Sequence, residues 1–349
     1  MKKFLKITTI ALVIIMTCAV LSPVYAVEFE NGFNYELINN GTEAKIITAK
    51  VSCVGTDGIL TIPETLGGKP VTEIAGSALG FIKDRTTSVV FPGTIKVIGD
   101  NAFASTKLAG VLVLPVSLRS LGARAFMNCA QITELTINDG LDTIPERAFS
   151  GCAALTKITF GNAVKTIGDY AFSACAALAA VDITAPVESV GKSAFFNCQT
   201  LAAVTFASSV GTIGSDAFEN CPALVEVTVP PTVTSVGSRA FALMDMISGE
   251  ITHNITITCA QNSAAHKYAT KNNADVKLKK FGYFLLGDLD GNGLVEATDA
   301  RLALRNATEL ERLSDEQVAL GDFDNSGKIE AAEARRILRS ATGLETLKK

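Results

Sequence analysis

The chain has no tryptophan, two histidines and five tyrosines in 349 residues, and 19% of those residues are charged, below the roughly 25% of an average globular protein. So little histidine leaves few groups for acid–base chemistry near neutral pH. So few indole and phenol rings remove the flat platforms on which sugars stack. The net charge of −4 lacks the positive field that drives phosphate binding, which argues against nucleic acid as a partner. With 48% apolar residues, general disorder is excluded as well. A binding or structural protein is expected, not an enzyme. Length alone suggests about two domains of roughly 150 residues.

The chain starts with a basic segment, Lys2-Lys3-Phe4-Leu5-Lys6, followed by an apolar run from Ile7 to Leu21. That run is shorter than the about 20 residues a membrane span needs, and Ser22-Pro23 closes it. It reads as a secretory signal peptide over residues 1–26, cleaved after the small-residue site Val24-Tyr25-Ala26. A secreted, extracellular protein with no membrane contact after cleavage is expected. Lipidation at Cys18 is the alternative.

The middle of the chain repeats. Ala-Phe recurs at Phe103, Phe126, Phe149, Phe172, Phe195, Phe218 and Phe241, every 23 residues without insertion. A fixed period in the twenties marks a solenoid. Within a unit, Leu155, Ile158 and Phe160 become Leu178, Val181 and Ile183, then Leu201, Val204 and Phe206, which alternate like a strand with one buried face. Gly168, repeated as Gly99, Gly122, Gly191, Gly214 and Gly237 with Pro145 once in its place, predicts a turn that uses glycine's access to positive φ. The unit is therefore expected to be a strand, a turn and a short helical return carrying Ala-Phe.

Cys129, Cys152, Cys175, Cys198 and Cys221 keep the same period. Stacked coils point equivalent residues the same way, so these read as buried thiols; disulfides or a metal site are the alternatives. Cys53 and Cys259 fall outside this row, in the expected end caps. Outward strand slots hold Thr136, Thr159, Asp182, Thr205 and Thr228 in one row, and Glu134, Lys157, Ala180, Ala203 and Glu226 in the next. A threonine row is commonly strand chemistry on a solvated sheet face; a ligand surface is the alternative. His253 and His266 have no nucleophile at any motif spacing and read as surface or packing residues.

The unit Val-x-x-Ile-Gly-x-x-Ala-Phe-x-x-Cys-x-x-Leu resembles the BspA-like leucine-rich-repeat family of bacterial surface proteins. The resemblance covers roughly Tyr35 to Val276. It includes an opening segment, Ile62-Pro63-Glu64 and Gly68-Lys69-Pro70-Val71-Thr72-Glu73-Ile74, where Ala75 stands in for the usual glycine. The segment from Thr256 to Leu278, with a short helix at Ala264-Ala265-His266-Lys267-Tyr268-Ala269, looks like the family's terminal cap. The resemblance implies a curved β-solenoid used in adhesion or protein recognition, with an unknown protein ligand on the repeat face.

The remainder differs in kind. From Leu286 onward there are 13 acidic and 9 basic residues, so the chain's excess negative charge sits here. Asp288-Leu289-Asp290-Gly291-Asn292-Gly293 and Asp322-Phe323-Asp324-Asn325-Ser326-Gly327 lie 34 residues apart, each before a helix signal. Oxygen ligands at positions one, three and five, glycine at six and a carboxylate at twelve are what a calcium loop requires. Asp288, Asp290, Asn292, the Leu294 carbonyl and Asp299 fit a first site. Asp322, Asp324, Ser326, the Lys328 carbonyl and Glu333 fit a second. Two calcium ions are expected, and Ser314 with Gln317 predicts a capping-box start for a helix between the loops.

The duplicated segment Gly287 to Glu345, lacking an entering helix because Phe281-Gly282-Tyr283 precedes it, resembles a type I dockerin. That resemblance implies calcium-dependent binding to the cohesin module of a scaffoldin, as in a cellulosome. Carried over by position, the contacts are Ala297, Thr298, Leu304 and Arg305 in one half and Ala331, Ala332, Leu338 and Arg339 in the other. Ser326 and Glu333 depart from the usual asparagine or aspartate and aspartate, so the second site is expected to be the weaker.

The expected fold is an α+β solenoid: a leucine-rich-repeat β-solenoid of 23-residue coils with caps over residues 27–280, a linker over 281–286, and a small all-α calcium-binding dockerin with two half EF-hand loops over 287–349. The expected function is scaffold-attached protein recognition. A free adhesin with purely structural calcium and a carbohydrate-handling or inhibitory module are the alternatives.

Overall fold

In the computed structural model, residues 23 positions apart lie side by side: Glu134 pairs with Lys157, Leu135 with Ile158 and Thr136 with Thr159, all in parallel register. The structure describes residues 27–183, 186–244, 251–252, 254–278, 287–289, 295–313, 315–324, 326–344 and 347. The expected leader with Cys18, the 281–286 linker with Phe281-Gly282-Tyr283, and His253, Asp290, Asn292, Leu294 and Ser314 lie outside the described residues. No helix among the described residues is long and apolar enough to cross a membrane.

Coils join along three rows of hydrogen bonds, of which the third runs from coil to coil without a break while the two strand rows are interrupted in places. The first row is the expected strand: Ala109–Val113, Gln131–Thr136 and Lys157–Thr159 form one parallel sheet, Ala180–Ile183 pairs with Ala203–Phe206, and Glu226–Thr228 pairs with Thr256–Cys259. The second is a row of two-residue strands, Thr143–Ile144, Thr166–Ile167, Ser189–Val190, Thr212–Ile213 and Ser235–Val236. Its residues are β-branched or serine, which suits a pleated, half-buried surface.

The third row is the Ala-Phe return, and it is not helical. Alternate N–H groups point out of the coil: Arg124 donates to the Glu146 carbonyl at 2.9 Å, Phe126 to Ala148 at 2.8 Å and Asn128 to Ser150 at 2.7 Å. The intervening residues close four-residue turns, as the Met127 N–H does on the Arg124 carbonyl at 3.1 Å. A helix would turn all of these donors inward and leave the next coil unbonded. The alternation is made possible by left-handed residues, among them Arg124 at φ 58° and Asn128 at φ 59°, a conformation costing L-residues about 1–2 kcal/mol.

The recurrent glycines also act differently from the expectation. Gly99, Gly122, Gly168, Gly191, Gly214 and Gly237 are not among the residues with positive φ. They are needed because the coils touch there. A Cβ on Gly214 would lie 2.6 Å from the Gly191 carbonyl carbon and 2.7 Å from the Lys192 nitrogen.

Inside, the phenylalanines form a continuous stack. Successive rings from Phe103 to Phe241 lie 4.9–5.5 Å apart with interplanar angles of 3–12°. Phe160 and Phe206 meet it edge-on from the strand row. The five ladder cysteines are buried and unbridged. Each thiol donates to the carbonyl of the phenylalanine 26 residues earlier, as Cys221 does to Phe195 at 3.2 Å and Cys129 to Phe103 at 3.1 Å. Burial pushes the Cys175 thiol up to about 12. Cys259 is buried and Cys53 half-buried.

The ends are closed by other structure. At the N-terminus the antiparallel strands Glu28–Glu30, Phe33–Ile38 and Glu43–Ala49 precede the first parallel partner, Lys69–Ile74. At the C-terminus Thr256–Cys259 pairs with Asp275–Leu278 on either side of helix α1, Ala264–Lys271. The α1 residue Tyr268 meets Phe241 edge-on at 5.9 Å and accepts its backbone N–H at 3.1 Å, which terminates the ring stack. The tail has its own core of Leu289, Phe323, Ile329, Ile337 and smaller residues. It is built by α2 (Ala297–Ala307), α3 (Asp315–Gly321) and α4 (Ala331–Ala341).

Three outcomes are expected. Gly214→Ala should lower stability by about 1–3 kcal/mol in denaturant melts, whereas Gly211→Ala, whose Cβ would meet nothing closer than 3.6 Å, should be nearly neutral. Thiol titration should find the five ladder cysteines unreactive until the chain is unfolded, and native disulfides between neighbours in mass spectra would contradict the structure. Cys175→Ser should cost about 1–3 kcal/mol, because the more strongly hydrated hydroxyl is buried on a shorter bond and falls farther from the Phe149 carbonyl that the thiol reaches at 3.5 Å.

Candidate functional site

Two surfaces gather the residues singled out from the sequence. The first is the outer face of the longer strands. Lys157, Thr159, Ala180, Asp182, Ala203, Thr205, Glu226 and Thr228 are all exposed, while Val181, Val204 and Val227 between them are buried. Parallel register makes the rows: Ala180 lies beside Ala203 and Asp182 beside Thr205. Glu226 accepts the Thr258 hydroxyl at 3.3 Å and pairs with Lys277 at 3.5 Å.

Three shallow depressions of about 420, 490 and 400 Å³ run along this face. Thr159 and Phe160 border the first and second, and Ala203 and Thr205 border the second and third, so they form one trough. The alanines set its floor low because they carry no side chain beyond Cβ. Arg119, Asp139 and Asn162 stand at its first end, and Glu226 at the other. Such a surface offers hydroxyls, small hollows and isolated charges to an extended partner.

Sequence reasoning passed over the apolar end of this surface. Val111 and Val113 occupy the same slots one coil before Glu134 and Thr136, and they are 62% and 53% exposed. Val90 and Val116 are exposed as well. The signal was available: the outward slots of this coil hold valine where later coils hold threonine, charge or alanine. His266 has a structural part, its Nδ1 accepting the Asn262 backbone N–H at 3.0 Å beside the start of α1.

The second surface is the tail. Asp322, Asp324 and Glu333 bring carboxylate oxygens within 4.8 Å of one another. Gly327, at φ +82°, makes the bend that allows it. The Ser326 N–H donates to Asp322 Oδ1 and to Asp324 Oδ1, each at 3.0 Å, and the Gly327 N–H to Asp322 Oδ2 at 2.7 Å. The Ser326 hydroxyl donates to the Lys328 carbonyl at 3.2 Å. Three crowded carboxylates of this kind could hold a hard cation, which takes oxygen ligands.

Of the first loop, Asp288 and Asp299 are described, and both are fully buried. Asp299 accepts the Leu289 N–H at 2.8 Å on one oxygen and the Glu296 N–H at 2.8 Å on the other. Glu333 repeats this arrangement with the N–H groups of Phe323 and Glu330. The position-twelve carboxylates thus also cap α2 and α4 and tie each loop to its helix. Gln317 donates to the Leu289 carbonyl at 2.6 Å, so α3 links the first loop to the rest of the tail.

Helices α2 and α4 pack together and leave a groove of about 360 Å³ lined by Ala297, Arg301, Leu304, Ala331, Arg335 and Leu338. Positions 34 apart thereby face each other across one axis. Leu304 and Leu338 are 49% and 46% exposed, an unusual amount for paired leucines. Arg305, Arg339 and Ala332 are exposed and Thr298 half-buried. Arg305 pairs with Glu311 at 2.8 Å.

The sequence profile of the BspA type leucine rich repeat region matches six copies in this chain, over residues 74–202 and 188–274. No curated protein matches the chain. Among solved structures, a leucine-rich cell surface protein from Faecalibacterium prausnitzii is 19% identical, with a TM-score of 0.36 and coverage of 75% of this chain and 96% of that one. A leucine-rich repeat protein of T. pallidum is 22% identical, with a TM-score of 0.44 and coverage of 72% and 98%. A leucine-rich repeat protein from Eubacterium ventriosum is 24% identical, with a TM-score of 0.43 and coverage of 62% of this chain and 49% of that one.

Proposed function

Because the chain belongs to the BspA type leucine-rich-repeat family over residues 74–274, we propose that it is a secreted, non-catalytic recognition protein. Its trough binds a protein ligand in adhesion, and its tail is a type I dockerin that attaches it to a cohesin on a cell-surface or cellulosome-like scaffold. The observation that carries the tail's part is the two-fold likeness of α2 and α4, whose exposed leucines and alanines share one groove. The gathering of Asp322, Asp324 and Glu333 supports calcium as its ligand.

On this reading, Asp288, Asp290, Asn292, the Leu294 carbonyl and Asp299 hold one calcium ion, and Asp322, Asp324, Ser326, the Lys328 carbonyl and Glu333 hold the other. Calcium neutralises carboxylates that otherwise repel, so metal binding and tail folding are coupled. Cohesin then meets Ala297, Thr298, Leu304 and Arg305, or, after a half-turn of the module, Ala331, Ala332, Leu338 and Arg339. The absence of tryptophan and the presence of only five tyrosines count against the carbohydrate alternative. A free adhesin with structural calcium predicts no cohesin binding.

Pull-down of the full chain by immobilised cohesins, in calcium and in chelator, tests this. Binding should need calcium. Arg305→Glu alone should be tolerated because the Arg339 face remains, and the reverse should hold for Arg339→Glu. The double variant should lose far more than the sum of the two. Abolition by either single change would mean that one face is used, and cohesin affinity that survives chelation would exclude the dockerin reading.

A further inference from the structure

The two ends of the repeat stack hold carboxylates in opposite surroundings. At the C-terminal end, Asp216 and Glu219 are 5% and 3% exposed. Earlier coils place Tyr170 and Ser193, and Ser173 and Phe196, at these positions. Both carboxylates turn to one guanidinium: Arg239 Nε lies 2.8 Å from Asp216 Oδ1 and 3.7 Å from Glu219 Oε1. Glu219 Oε1 has no hydrogen-bond partner among the described residues. The cap adds Tyr268, an acid whose phenol is pushed up to about 12 by burial and then by these two carboxylates. One positive charge therefore faces two buried negative ones.

At the N-terminal end, Glu43 is held by three donors. Lys96 Nζ lies 2.6 Å from its Oε1, and the Thr72 hydroxyl and Asn39 amide donate to its Oε2 at 2.7 and 2.8 Å. Here the ionised form is the satisfied one.

We propose that the repeat stack carries opposed proton-linked clamps, so that acidification first tightens its C-terminal end at Asp216–Glu219–Arg239 and then loosens its N-terminal end at Glu43–Lys96. A protonated Glu219 no longer competes with Asp216 for Arg239 and becomes a donor itself. A protonated Glu43 loses its charge partner. Repeat stacks open from their ends because each coil contacts only its neighbours, so the end that opens first changes with pH.

The windows follow from the direction in which each group is displaced. Burial, with Asp216 adding to it, raises Glu219 above the ordinary glutamate value of 4.5, although Arg239 opposes this. The folded state then binds the proton more tightly, and the stabilisation is complete below 4.5 and lost as pH rises through the raised value. The Lys96 and Thr72 hydrogen bonds lower Glu43 below 4.5, against the effect of burial. Its stabilisation is present above 4.5 and lost as pH falls through the lowered value.

Hydrogen exchange on the full chain between pH 3 and pH 8, corrected for intrinsic rates, tests this at amides of both ends. Phe218 and Phe241 report the C-terminal end, through their bonds to the Ala240 carbonyl and the Tyr268 hydroxyl. Ala75 and Gly99 report the N-terminal end, through bonds to Ile46 and Ile74. From pH 8 down to about 5, protection of Phe218 and Phe241 should rise while Ala75 and Gly99 stay level; below about 4.5, Ala75 and Gly99 should lose protection. Protection can change by about tenfold for every tenfold difference in proton affinity between the closed and opened ends. Glu219→Gln should flatten the C-terminal profile alone, and Glu43→Gln the N-terminal profile alone. Profiles of the same sign at both ends, or a C-terminal slope that survives Glu219→Gln, would overturn the proposal. Should a variant fail to fold, the signs of the two slopes in the unaltered chain decide it.

Discussion

The hydrogen bond from one coil to the next is the constraint on which the rest of the molecule depends. A 23-residue coil cannot satisfy its own backbone, since half the donors of the Ala-Phe return and those of both strand rows point along the stack. Everything else serves the spacing this demands. The phenylalanine rings stack at 4.9–5.5 Å because the backbone holds them there, and glycine recurs at one position because another coil's backbone passes within contact of it. Residues such as Arg124 and Tyr170 accept left-handed geometry for the same reason.

Much of this was legible in the sequence, and what escaped did so for physical reasons. The coil length, the inward strand positions and the cysteine row follow from period and polarity, which the successive copies display together, whereas the cap helix rested on the resemblance to the family's terminal cap. The second strand row did not, since Thr166-Ile167 is too short to alternate. The return resembles a helix start in composition, yet its donors are claimed by the following coil, which a single unit cannot display. Likewise the glycine row signals close approach, although glycine in a sequence more readily suggests positive φ. The Asp216–Glu219–Arg239 cluster was invisible because its members sit in different coils and become neighbours only through stacking. In the tail, loop spacing located the carboxylates that gather at Glu333, whereas the second duty of Asp299 and Glu333 as helix caps emerged from the geometry.

The two parts of the chain solve the same problem with different symmetry. In the solenoid, like residues are related by translation, so side chains form rows and any partner meets a repeating surface. In the tail, two like segments bring equivalent residues of α2 and α4 together to line a single groove. Leucines that a translational stack would bury remain half-exposed in the tail.

Because the Ala-Phe return bonds each inner coil to the next in the same way from Phe103 to Ala240, one coil can stand in for its neighbour. Duplication of one whole unit in the gene would slip between two existing coils and mate with both, lengthening the trough without disturbing either cap. Gain or loss of a single residue would dislocate all three rows together. The reach of the recognition face can therefore change by copying in whole steps, while the unit's own length stays locked, consistent with seven Ala-Phe pairs spaced without one insertion.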